Sequence, residues 1–125
     1  MENPLAFVIE DDEAQADLFF EAMQKAAFEV EIVRDGRAAL ARLAEAIPSV
    51  VVLDINLPYV SGVDILHAIR KDPRLAGTRV IIASANPQIA VDLQEEADLV
   101  LIKPVSYFQL RDLAGRLRAS GTSEA

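Results

Sequence analysis

Four apolar, strand-length runs of this chain each end in a polar residue suited to holding a metal ion or a phosphoryl group: Asp11 and Asp12, then Asp54, Ser84 and Lys103. Like charges about 4 Å apart repel by roughly 4 kcal/mol at an effective dielectric of 20. Carboxylates gathered at neighbouring strand ends therefore call for a cation or for protons. A divalent ion meets that need. Mg²⁺ favours octahedral oxygen ligands, keeps several waters and shares its shell with phosphate oxygens, which suits a site with few carboxylates. Asp54 has two possible roles in such a site, as a ligand or as a nucleophile that takes up a phosphoryl group. Lys103 offers a compact ammonium and Ser84 a hydroxyl, so metal, ammonium and hydroxyl together match three phosphoryl oxygens. Taken singly, each residue has a plainer reading. The acidic run Glu10-Asp11-Asp12 reads as a helix cap, with Asp12 as the capping residue, the serine as a partner of local backbone, and the lysine as a solvated surface charge. Their joint occurrence in chain order favours the phosphoryl reading.

Such residues work together only if the fold brings them to one place. Apolar runs of strand length alternate with amphipathic segments, the pattern of βαβ units and a parallel sheet. In such a sheet the ligand crevice lies outside the carboxyl ends of the strands, where these residues fall. Residues 5–9 form a buried first strand, and the segment after Asp12 repeats Leu18, Ala22 and Ala26 beside Phe19, Met23 and Ala27 at helical spacing. Val30 and Ile32 alternate with polar neighbours as in a strand with one wetter face. Asp35-Gly36 then turns the chain into a helix carrying Leu40, Leu43 and Ile47, which Pro48 ends. Residues 50–53 are continuously apolar and β-rich, as a central parallel strand requires, and Asp54 terminates them. A loop over 55–62 leads to a helix with Ile65, Leu66 and Ile69. Residues 80–83 and 99–102 supply the fourth and fifth strands, and Ser106 caps a last helix with Leu110, Leu113 and Leu117 inward. The domain is expected over residues 1–119, with a small, polar, frayed tail at 120–125.

Composition narrows the function classes. The chain has 125 residues, enough for one domain with one core, and 52% of them are hydrophobic. No apolar run is long enough to span a bilayer. The amino terminus lacks the basic and apolar regions of a secretory signal, so a cytoplasmic location is expected. There is no cysteine and only one histidine, His67, which excludes disulfides, thiolate chemistry and a histidine cluster for zinc or copper. Any metal is therefore a hard, oxygen-bound one. Twelve basic against twenty acidic residues give a net charge of −8, which repels nucleic acid and anionic membrane.

The residues now assembled resemble the receiver domain of bacterial two-component response regulators, from Leu5 to about Leu117. The likeness is carried by Val8-Ile9-Glu10-Asp11-Asp12, by the segment from Val51 through Asp54, Asn56 and Pro58 to Gly62, by Ile82-Ala83-Ser84-Ala85 and by Lys103-Pro104. Asp35-Gly36 also stands where the family often has such a pair. The resemblance implies a flavodoxin-like (βα)5 fold, a single doubly wound five-stranded parallel sheet of order 2-1-3-4-5, and a cis peptide before Pro104. It implies that Asp54 is the phosphoacceptor, that Asp11, Asp12, Asp54 and the backbone carbonyl of Asn56 bind Mg²⁺, that Ser84 is the switch hydroxyl and that Lys103 binds the phosphate. The partner would be a sensor histidine kinase or histidine phosphotransfer protein, docking along the first helix and the loop after Lys103, near Ala14, Gln15 and Val105 to Tyr107. The domain would be a signalling module that catalyses its own phosphorylation and dephosphorylation and changes its contacts with other proteins, rather than an enzyme with a separate substrate. No DNA-binding or enzymatic output is expected within the chain, which would be a single-domain regulator or a piece of a larger protein.

Two departures concern the output. The family usually has an aromatic residue three positions before the lysine, where this chain has Val100, whose β-branched side chain has few rotamers. The segment for the fourth helix is short and starts at Asn86-Pro87, so an atypical output face is expected. Asn56 and Asn86 are read as flanking the acceptor, and as neither is a strong general base, the expected dephosphorylation rate is modest. Tyr59, Tyr107 and Phe108 are read as loop and core aromatics. Two alternatives are weighed. A haloacid dehalogenase-like, Mg²⁺-dependent phosphohydrolase wants a second aspartate where Asn56 stands. A receiver-like binding module independent of phosphorylation is favoured by Val100 and disfavoured by the intact acidic, serine and lysine positions.

Overall fold

Val50–Asp54 (β3) is buried at every position, which accounts for its unbroken apolar run: a central parallel strand is covered on both faces. The structure, a computed structural model, describes residues 3–123. Around β3 stand Leu5–Ile9 (β1), Glu29–Val33 (β2), Arg79–Ser84 (β4) and Leu99–Ile102 (β5), joined through helices Glu13–Lys25 (α1), Gly36–Glu45 (α2), Gly62–Lys71 (α3) and Pro87–Leu93 (α4). Helix Tyr107–Ser123 (α5) ends the described chain, and a 3₁₀ turn at Pro73–Leu75 precedes β4. The sheet order is β2-β1-β3-β4-β5 with every neighbouring pair parallel, the doubly wound order that the resemblance implied. The chain moves outward from β1 to β2 and then crosses back to β3, so the order reverses between β1 and β3. A crevice outside their carboxyl ends follows. The register pairs Ile9 with Leu53, so the residues that come next, Glu10 and Asp54, leave the sheet side by side.

Strand alternation divides the core into two layers. Val50 and Val52 face one side, where Phe19 and Met23 of α1 and Leu110 and Ala114 of α5 cover them. Val51 and Leu53 face the other, under Leu43 of α2, Ile65, Leu66 and Ile69 of α3, and Leu93 of α4. β2 is the wetter edge, buried only at Val33, in line with its alternating sequence.

Side-chain caps set the helix starts. Asp12, Asp35, Ser61 and Asn86 each accept a hydrogen bond from an N–H of the first turn of α1, α2, α3 and α4 in turn, and Ser106 Oγ accepts from Gln109 N ahead of α5. One expectation is corrected. α2 ends at Glu45, and Ile47 lies beyond it, 58% exposed, because a residue before proline disfavours helical backbone. α4 is short, at 7 residues, as its sequence indicated. α5 continues to Ser123, through most of the segment expected as a tail, whose last two residues lie outside those described. The Lys103–Pro104 peptide is cis.

The amino-terminal edge of the sheet carries its own charged cluster. Arg70 donates to Glu96 O at 2.7 Å, to Thr78 O at 2.9 Å and to Asp98 Oδ2 at 3.0 Å. Asp98 Oδ2 also accepts from Val80 N at 2.7 Å, and Thr78 Oγ1 donates to Pro48 O at 2.7 Å. This network ties α3 to the starts of β3, β4 and β5.

Candidate functional site

At the opposite edge the strand ends deliver Glu10, Asp11, Asp54, Ser84 and Lys103 to one crevice. Asp54, the last residue of β3, is 2% exposed. Its Oδ1 accepts from Lys103 Nζ at 3.0 Å and from Asn56 N at 3.2 Å. Glu10 is fully buried beside it, and its two carboxylate oxygens accept from Lys103 Nζ at 3.4 Å and Asp12 N at 3.2 Å. Carboxylate oxygens of Glu10, Asp11 and Asp54 all lie within 4.8 Å of one another. Arg34 reaches the group from just past the end of β2 but donates to the backbone carbonyl of Asp11, at 3.1 Å, rather than to a carboxylate.

The electrostatics follow from burial and crowding. Burial pushes the Glu10 carboxyl up to about 7; the Asp12 N–H opposes this, the Asp54 carboxyl reinforces it and the Lys103 charge opposes it. Burial also works against the charge of Lys103, but the hydrogen bond to Asp54 and the pull of both carboxylates outweigh it, so the ammonium is held above the ordinary lysine range. Two carboxylates thus bond one ammonium, with a third, that of Asp11, within reach of both. The donors are all oxygens, clustered within reach of one ion, two of them buried and one exposed. That set fits a hard divalent cation such as Mg²⁺, which takes a few carboxylates and completes its shell with water or phosphate. Chemically, the arrangement offers an oxygen nucleophile at Asp54, a fixed positive charge at Lys103 and a strand-end hydroxyl at Ser84.

Each residue singled out from sequence has a definite place. Asp11, Asp54 and Lys103 come together in the crevice. Ser84 is buried at the end of β4, next to β3, where its Oγ accepts from Asn86 N at 3.0 Å and its carbonyl from Lys103 N at 2.8 Å. Asn56 adjoins Asp54 through its N–H. Asp12 is placed differently: it caps α1 by accepting from Gln15 N at 2.9 Å, and the carboxylate beside Asp54 is that of Glu10. The register carries the missed signal, because Glu10 follows the last residue of β1 just as Asp54 follows Leu53. Asn86 accepts from Gln88 N at 2.9 Å and so serves the α4 cap. Val100 is half-buried on β5 opposite Ile82 and packs into the layer that holds Ile89 and Leu93 of α4. Beside Lys103 an apolar groove of about 410 Å³ opens between α1 and the loop after β5, lined by Gln15, Leu18, Phe19, Lys103, Pro104 and Val105.

Known proteins share both the sequence pattern and this fold. The family model for the response regulator receiver domain matches residues 6–114. The sensory transduction protein RegX3 of Mycobacterium tuberculosis is 34% identical over 112 residues, which cover 90% of this chain and 48% of that protein. The chain therefore spans about half the length of this curated relative. Among solved structures, the receiver domain of the Francisella response regulator 1452 superposes with a TM-score of 0.84 at 26% identity, covering 95% of this chain and 99% of that one. Response regulator DrrB of Thermotoga maritima, an OmpR/PhoB homolog, gives 0.84 at 25% identity, covering 97% of this chain and 54% of that one.

Proposed function

This chain belongs to the response regulator receiver domain family, and we propose that it works by accepting a phosphoryl group on Asp54 from the phosphohistidine of a sensor histidine kinase or histidine phosphotransfer protein in the cytoplasm. The observation that carries this reading is the buried carboxylate of Asp54, bonded to Lys103 at 3.0 Å within an excess of negative charge. Such a cluster is costly to a fold unless a cation or protons offset its charge, and a bound cation is what a phosphoryl transfer to Asp54 would use. Lys103 and Asn56 N–H anchor Oδ1, so Oδ2 is assigned to the attack on phosphorus. An O–P bond forms as the N–P bond of the donor breaks, and the imidazole leaves with that bond's electron pair. Lys103 balances charge on the transferring group, and Ser84 supplies a hydroxyl to one of its oxygens. Glu10, Asp11 and Asp54, with the carbonyl of Asn56, would hold Mg²⁺, which supplies further neutralisation when bound. The groove beside Lys103 suits a partner helix that carries the phosphohistidine, because it is apolar and shares Lys103 with Asp54.

Output follows from the bonds of Ser84. Its Oγ holds Asn86 N, the residue that caps α4, so drawing the hydroxyl toward a phosphoryl group disturbs the start of that short helix. Val91 of α4 is exposed, as are Ile102 on β5 and Phe108 on α5, and contacts made there would register the change. Val100 favours a second reading, a receiver-like module that binds a partner without phosphorylation. Intact-mass spectrometry after incubation with a small acyl phosphate, with and without Mg²⁺, on wild type and Asp54→Asn, tests the first reading. One added phosphoryl group that needs both Mg²⁺ and Asp54 is expected. Failure to acquire it from that donor and from candidate kinases would leave the second reading.

A further inference from the structure

Tyr59 has a φ of +72°, in the left-handed region that bulky L-residues seldom occupy. Across it, Val60 N donates to Pro58 O at 2.9 Å. An i to i+2 bond around a residue with that φ is the rarer, strained form of γ-turn. The turn begins two residues after Asn56, in the loop that follows Asp54. Strain of this kind persists where the surroundings over-determine it, and here the first turn of α2 does so. Gly36 N donates to the same carbonyl, Pro58 O, at 3.3 Å. A Cβ on Gly36 would lie 2.4 Å from Val60 O and 2.6 Å from Val60 Cβ, so helix and turn meet with no room for a side chain between them. The Arg37 guanidinium carbon sits 4.0 Å from the centre of the Tyr59 ring, which is itself 71% exposed. Burial does not hold that ring in place; the arginine does. The other left-handed non-glycine residue, Ala27, closes α1 through bonds from Ala27 N to Gln24 O and Phe28 N to Met23 O, an ordinary helix ending.

The geometry points to Gly36 and Arg37 as positioning residues for the acceptor loop. The first turn of α2 clamps the strained Pro58–Val60 turn and thereby holds Asn56, whose N–H fixes Asp54 Oδ1, in the arrangement that binds metal and takes up phosphate. This inference rests on the reading of Asp54 as the acceptor. It gives α2, which shares a face of the sheet with α3 and α4, a hold on the chemistry.

Arg37→Ala and Tyr59→Leu remove the stack from its two sides, Tyr59→Phe keeps it, and Arg37→Lys keeps part of it. Three readouts are compared at room temperature in folded protein: hydrogen exchange of the Val60 and Asn56 amides, Mg²⁺ affinity by calorimetry, and the rate of phosphoryl uptake from a small acyl phosphate. For Arg37→Ala and Tyr59→Leu we expect exchange to speed up, Mg²⁺ binding to weaken and uptake to slow, each by about two- to fivefold. Tyr59→Phe is expected to match wild type and Arg37→Lys to fall between. Gly36→Ala is expected to act more strongly; should it fail to fold, the stack variants still decide. Faster exchange at Val60 with Mg²⁺ affinity and uptake unchanged would overturn the inference and leave the clamp a local brace. A wild type that neither binds Mg²⁺ nor takes up phosphate would instead overturn the reading of Asp54, and unaltered exchange in Arg37→Ala would overturn the clamp independently of it.

Discussion

The sheet has a charged cluster at each end, and the two are built on opposite principles. At the amino-terminal edge Arg70 spends its guanidinium on two carbonyls and the Asp98 carboxylate, and Asp98 takes a backbone N–H as well. Charges and hydrogen bonds there close on one another. At the carboxyl edge one ammonium bonds the Glu10 and Asp54 carboxylates, and the Asp11 carboxylate stands beside them as a third. Every buried side-chain polar atom among the described residues has a hydrogen-bond partner, so the second cluster is satisfied in bonds but not in charge. A balanced cluster braces the fold, and one left with excess charge is held ready for something that arrives from outside.

Breaking the balanced cluster is expected to have the largest effect on stability. Arg70→Ala removes three bonds at once and leaves two carbonyls and the Asp98 carboxylate without their donor. Bonds to charged groups contribute about 1.5–3 kcal/mol, and an orphaned partner adds its own cost, but Arg70 is partly exposed, with 30% of its side chain accessible, which tempers the total. A loss of about 2–3 kcal/mol is expected in denaturant melts, with Mg²⁺ affinity unchanged because the crevice lies at the other end of the strands. Arg70→Lys is expected to recover only a minor part, since an ammonium cannot reproduce the planar fork. A drop in Mg²⁺ affinity on Arg70→Ala would mean that the two edges are coupled and that the contrast fails.

At the carboxyl edge the sign reverses. Asp54→Asn keeps the oxygen that accepts from Lys103 and Asn56 N, removes a charge from the crowd and places an amide donor near Glu10. In Mg²⁺-free solution it is expected to raise stability by about 1 kcal/mol. Wild type is expected to gain stability from added Mg²⁺ by mass action, and most of that gain is expected to vanish in the variant. Equal responses of the two proteins to Mg²⁺ would show that Asp54 takes no part in holding the ion.

The two edges were also unequally legible in the sequence. Strand ends are visible because an apolar run stops, so Asp54, Ser84 and Lys103 stood out, and the alternation of runs and amphipathic segments gave five βα units that the structure contains. Choosing between Glu10 and Asp12 needed the pairing of β1 with β3, which no periodicity states. The resemblance implies a metal role for Asp12 beside Asp11; in the fold its carboxylate caps α1, as a helix start requires. The Arg70 cluster was not legible at all. Its members come from α3, from the residue before β4 and from the segment before β5, and a surface-type arginine at helical spacing gives no sign of where its guanidinium will land. The turn at Tyr59 was hidden for another reason: a positive φ on a tyrosine is imposed by contacts with α2, and tyrosine itself does not ask for it.

The smallest expected effect comes from an ion pair that belongs to neither edge and so serves as their control. Arg42 on α2 makes a two-pronged bond to Glu31 on β2, and that hydrogen bond, against a smaller opposing effect of burial and with some help from the arginine's charge, holds the Glu31 carboxyl below its ordinary value of 4.5. A carboxyl whose pKa is lower in the folded than in the unfolded chain binds fewer protons when folded, so it adds stability above about pH 4.5 and loses it as pH falls through its folded value. Glu31→Gln is therefore expected to be slightly less stable than wild type at neutral pH and to converge on it in acid, read as the gap between their denaturation midpoints. Both partners are substantially exposed, with 35% and 36% of the side chains accessible, and solvent screening keeps such pairs weak. Salt should narrow the neutral-pH gap in the same way, while leaving the effect of Arg70→Ala largely in place, because the Arg70 bonds to backbone carbonyls do not depend on an opposing charge. A gap that persists undiminished in acid and in high salt would show that the Glu31 side chain stabilises the fold through its hydrogen-bond geometry to Arg42 rather than through its charge.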